Sequence, residues 1–149
     1  MQWSTLGATA VGTALGVLAT LLTDQTRWRR DRSDRERDVL RTAFAGYLAA
    51  LSAARDAFSQ AEPSPERVGK GHVAIGEHGV YAAQQQLELV AHQALTDAAA
   101  RATLAVLDFH DAVVAGHTPN SREYVDAWRA ARRTRMAVIA EMRTALRRA

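Results

Sequence analysis

The chain has 149 residues, no cysteine and a net charge of +3. That length suits one domain with a modest core plus an appendage, and the lack of cysteine excludes a disulfide framework, thiolate metal sites and a cysteine nucleophile. Alanine recurs throughout, prolines number three and Lys70 is the sole lysine, a composition that together with helical periodicity reads as all-α.

The first element is uncharged from Ser4 to Thr23. About 20 apolar residues are needed to cross a hydrocarbon core of about 30 Å, so residues 1–26 are expected to form a single transmembrane anchor. Trp3 and Trp28 bracket it, about 37 Å apart along a helix, which suits indoles at the two membrane interfaces. Arg27, Arg29, Arg30 and Arg32 follow on the C-terminal side, and no Lys or Arg precedes the apolar run. A secretory signal has the opposite charge order. The positive-inside rule then places the anchor in the cell membrane with the N-terminus outside and the rest of the chain in the cytoplasm. Within the span Ala8, Gly12, Gly16 and Thr20 recur every four residues. Such a stripe lets helix backbones approach closely in lipid and is expected to carry self-association into a homo-oligomer.

Residues 27–38 form a charged stalk, with Arg27–Asp31, Arg30–Asp34, Asp31–Arg35 and Arg32–Glu36 at helical i,i+4 spacing. The pattern then changes to Leu40, Phe44, Tyr47, Leu51, Ala54 and Phe58. These steps of four and three make a coiled-coil-like seam on a helix expected over about 39–62. Pro63-Ser64-Pro65 cannot continue it.

The glycine-rich stretch from Val68 to Gly79 lacks the order of a phosphate-binding loop and has no preceding strand, so it reads as a bundle corner. One long helix is expected over about 73–116, burying Leu87, Val90 and Phe109, with Gly116 as its C-cap and Pro119 beyond it. Asn120 followed by Glu123 resembles an N-cap for a last helix over 120–148. That helix has Trp128, Ile139, Met142 and Leu146 on an apolar side and Arg122, Arg129, Arg132, Arg133, Arg143 and Arg147 on another. Residues 63–119 hold three basic groups against six acidic ones, and residues 120–149 hold eight arginines against three acids. Complementary packing between the two segments follows naturally. The expected fold is an N-terminal transmembrane helix continuous with a long helix, folding into an antiparallel three-helix bundle over residues 39–149.

Chemistry is sparse. Glu88 and His92 stand at i,i+4 on the expected middle helix, and His110 lies between Asp108 and Asp111. Neither the Glu-x-x-His pairs of di-iron bundles nor a His-Glu-x-x-His motif occurs, and the histidines read as surface residues of the acidic segment. No residue is assigned to catalysis, to a cofactor or to a metal. The expected function is therefore a non-enzymatic, membrane-anchored scaffold or adaptor. Its partners are the lipid bilayer, further copies of itself and a protein recruited by the cytoplasmic bundle, with nucleic acid disfavoured for want of a binding motif. A holin-like or pore-forming effector, its pore lined by Thr9, Thr13, Thr20 and Thr23, is the alternative. A helical-bundle enzyme or metal binder comes third.

Overall fold

A computed structural model describes residues 34–148. The expected anchor lies outside them, including Trp3, Trp28, Arg27, Arg29, Arg30, Arg32 and the Ala8/Gly12/Gly16/Thr20 stripe. Among the described residues every regular element is helical, and no helix is long and apolar enough to cross a membrane. The chain divides after Arg37, and the helical bundle is the unit Asp38–Ala149.

Helix α1 covers residues 34–59. Its seam is used inside the bundle: Phe44, Tyr47, Leu51, Ala54 and Phe58 are buried, and Leu40 packs half-buried against them. The seam is thus consumed within one chain and is not open to a coiled coil between chains. α1 ends three residues before the sequence pattern suggests. The Ser59 hydroxyl donates to the Asp56 carbonyl, and the Gln60 and Ala61 amides fall back on the carbonyls three residues earlier. The residue before Pro63 is also disfavoured from helical geometry.

The corner that follows is tied down at both ends. The Ser64 amide donates to the Val114 carbonyl at 2.7 Å, and the Gly69 amide donates to Asp111 Oδ1 at 3.0 Å. A 3-10 turn, Pro65–Arg67, lies between them. There the Ser64 hydroxyl donates to Glu66 and holds that carboxyl below its ordinary pKa.

The expected single helix over 73–116 is three helices. α2 runs Gly71–Glu77, α3 runs Val80–Val90 and α4 runs Gln93–Val114. Gly79, at φ +70, supplies the left-handed residue that separates α2 from α3. The break at 91–92 has a different cause. His92 is extended, and its Nδ1 accepts the Leu95 amide at 3.1 Å, so its imidazole caps α4. The chain reverses there. Thr103 of α4 bonds back to Gln84 of α3, and Gly71 of α2 lies against His110 of α4. What reads as one helix is therefore a helical hairpin, and three helices become four limbs: α1, the α2–α3 limb, α4 and α5 (Arg122–Arg148).

The direction of each limb follows from its contacts. Tyr47 meets Ala99 and Thr103, and Phe58 meets His110, so α1 and α4 run parallel. Phe109 meets Tyr124 and His92 approaches Glu141, so α5 is antiparallel to α4. The order is up-down-up-down, the topology that short connections favour in helix bundles. α4 is the central element, with eleven buried residues, many of them alanines that let its neighbours approach closely. Its C-terminus closes on Gly116 at φ +90, where the Gly116 and His117 amides bond back to Val113 and Ala112. α5 starts at Arg122 with Ser121 as its cap, the Tyr124 amide reaching the Ser121 hydroxyl at 3.3 Å. The expected cap, Asn120, is displaced by one residue.

Candidate functional site

Buried polar groups in this unit join helices. The Tyr47 hydroxyl donates to the Ala99 carbonyl at 2.7 Å and lies 3.0 Å from Thr103 Oγ1, which in turn reaches Gln84 Oε1 at 2.9 Å. The two hydroxyl protons thereby tie α1 to α4 and α4 to α3. Burial pushes the Tyr47 pKa up to about 12 against the opposing influence of the neighbouring Thr103 hydroxyl. A phenol held protonated in this way acts as a fixed donor.

The histidines and carboxylates singled out in the sequence do not gather. Glu88 accepts from Gln84 on α3, whereas His92 lies beyond the reversal and faces Glu141 of α5 at 3.8 Å, so the expected i,i+4 pair is not on one helix. His110 is not a surface residue: it is 1% exposed, with its ring edge-on to Phe58 at 4.7 Å and Nδ1 3.0 Å from Asp111. Nε2 of the same ring is buried without a hydrogen-bond partner. Asp111 also takes the Gly69 amide, so the pair fastens the glycine corner to α4. Asp108 is exposed. Among the described residues no group of three or more His, Cys, Asp or Glu side chains is placed to hold a metal ion.

Most of the expected core residues are inside: Phe44, Tyr47, Leu51, Phe58, Leu87, Phe109 and Met142 are buried, and Leu40, Ile139 and Leu146 are half-buried. Two are not. Val90, the last residue of α3, is exposed beside Val39 and Leu89 at the mouth of a groove of about 430 Å³ between α1 and α3. Trp128 is 40% exposed, because its ring lies at the edge of the outer face of α5 under the Arg132 guanidinium, 5.6 Å from the ring centroid.

That outer face is the most strongly one-signed surface among the described helices. Arg122, Arg129, Arg132, Arg133, Arg143 and Arg147 are all exposed. At about 100° per residue they fall within an arc of about 100°, spread over about 37 Å of helix. Glu123, Asp126 and Glu141 project outside the arc. Asp126 sits at its margin and reaches Arg122 at 3.5 Å. Arg147 is steadied by Thr144. Among the described residues no carboxylate comes within ion-pairing distance of Arg129, Arg133 or Arg143. Met136 lies mid-arc and is 53% exposed. Sequence spacing locates the arginines, but apolar character alone argues Trp128 into the core and leaves Met136 unassigned. Helical projection puts Met136 inside the arc and Trp128 about 40° beyond its Arg132 edge. Comparison of the chain with known protein families, characterised proteins and solved structures finds no match.

Proposed function

We propose that the chain is a non-enzymatic, single-pass membrane scaffold or adaptor. Residues 1–26 anchor it with the N-terminus outside, and the helical bundle in the cytoplasm recruits a partner. The observation that carries this reading is the uncharged stretch Ser4–Thr23, bracketed by Trp3 and Trp28 and followed by four arginines within six residues. The bundle agrees with it. Its buried polar groups fasten helices together, and its charge is displayed outward on α5.

Self-association occurs through the Ala8, Gly12, Gly16 and Thr20 face, where small residues bring backbones close enough for van der Waals packing. Energy transfer between labelled full-length copies in lipid vesicles tests it. Transfer above the level expected for random mixing, lost in Gly12→Leu, is the expected result, and transfer that Gly12→Leu leaves unchanged would remove the interface. Release of an entrapped dye that disappears in Gly12→Leu would instead favour a pore-forming effector.

A further inference from the structure

We propose that the outer face of α5 docks flat on anionic phospholipid headgroups of the membrane that holds the chain; the inference rests on the anchor proposed above, without the continuous helix from anchor to bundle that the sequence suggests. Three observations select this surface and this partner. First, the other long helices pair their exposed charges or alternate them. Arg41 meets Asp38 and Arg55 meets Asp56 on α1, and the wet stripe of α4 runs Asp97, Arg101, Asp108. The α5 arc alone among them is all cationic, and its guanidiniums match phosphate oxygens in charge and geometry.

Second, Met136 stands exposed among the arginines, and Trp128 is exposed beside them under Arg132. Apolar groups set between cations gain little from a duplex phosphate backbone or an acidic protein surface. At a bilayer interface they have a destination, since the cations take headgroups while methionine and indole enter the acyl boundary. The cation–π contact between Arg132 and Trp128 keeps both groups on that face. Third, a tethered domain meets the leaflet at high effective concentration, so contacts that are individually weak can hold it there.

The absence of cysteine makes the test direct. Met136→Cys in the full-length chain carries a polarity-sensitive fluorophore, and the protein is reconstituted into vesicles of phosphatidylcholine alone or mixed with phosphatidylglycerol. The probe is expected to shift to the blue and to be quenched by nitroxide lipids only when phosphatidylglycerol is present, and high salt is expected to reverse the shift. Arg129→Gln, Arg132→Gln and Arg133→Gln together should weaken docking roughly hundredfold, about fivefold for each arginine. Helical circular dichroism should stay unchanged, because all three side chains are exposed.

A probe that reports water in both vesicles while the protein survives a carbonate wash overturns the docking and leaves the anchor standing. If the wash removes the protein, the anchor falls. A phosphatidylglycerol-dependent shift on adding the chain from solution would then still support the α5 face, and its absence would end both ideas. A shift produced by duplex nucleic acid, or by raising protein density at fixed lipid composition, reassigns the face and overturns the proposal.

Discussion

Replacing Tyr47 by phenylalanine removes one hydroxyl from the junction of three helices, and its effect should reverse with pH. At neutral pH the variant loses the bond to the Ala99 carbonyl at 2.7 Å and the 3.0 Å polar contact with the Thr103 hydroxyl. The Ala99 carbonyl keeps its place in the helix ladder, so the cost is that of one buried side-chain hydrogen bond and a polar contact, about 1–2 kcal/mol. In the parent, burial raises the phenol from its ordinary pKa of 10.0 to about 12, with Thr103 opposing. Between those values the folded chain keeps a proton that the unfolded chain has released. The stabilisation is therefore complete below the unfolded pKa and is lost as pH rises through the folded one. The loss amounts to about 1 kcal/mol at about pH 11 and about 2 kcal/mol at about pH 12. The phenyl ring of the Tyr47→Phe variant has no proton to release. Urea titrations followed by helical circular dichroism should thus show the parent ahead at neutral pH, the gap closing near about pH 11, and equality or reversal beyond. Parent and variant falling in parallel over that range would refute the buried-phenol assignment.

Other substitutions probe the corner and the reversal. A Cβ on Gly71 would lie 2.8 Å from His110 Nδ1 and 3.1 Å from Leu107 Cδ2. The imidazole is wedged against Phe58 and Asp111, so Gly71→Ala should cost about 1–3 kcal/mol in the same titrations. Gly46→Ala is the contrasting case. It lies inside α1 with nothing within 4 Å of the new methyl, and should stabilise by about 0.5–1 kcal/mol. His92→Ala removes the imidazole cap of α4 and should cost about 1 kcal/mol, while His92→Asp, which can accept the same Leu95 amide, should recover most of it. If Asp were no better than Ala there, the cap would not be what holds the reversal.

The α1 seam is legible in the sequence because aromatic and branched residues at alternating steps of four and three have one place to go in a helical unit. The end of α4 is legible at Gly116, where a left-handed residue is needed and glycine supplies it. The reversal at His92 is not. Ala91-His92-Gln93 contains no glycine or proline, and an imidazole acting as an N-cap depends on the geometry of one side chain rather than on composition. Missing that one residue merges two limbs and turns a four-limbed bundle into three helices. It also pairs Glu88 with His92 on a helix they do not share. His110 reads as surface because its neighbours are acidic, yet the ring packs inward on Phe58 and against Gly71, and Asp111 takes the Gly69 amide. Helical projection finds the arginine face of α5 correctly, since long exposed charges follow the period of the helix. Trp128 is misplaced because an indole at the edge of a stripe can lean either way, and here it leans outward toward Arg132.

Membrane anchoring through Ser4–Thr23 is the central claim, and washing membranes from cells expressing the full-length chain with alkaline carbonate tests it most directly. An integral span resists that wash, whereas a chain held only by the arginine face of α5 is released with other peripheral proteins. The full-length chain is expected to remain in the pellet, and a chain lacking residues 1–26 is expected to leave it. Recovery of the full-length chain in the supernatant would contradict the anchor and, with it, the scaffold built upon it.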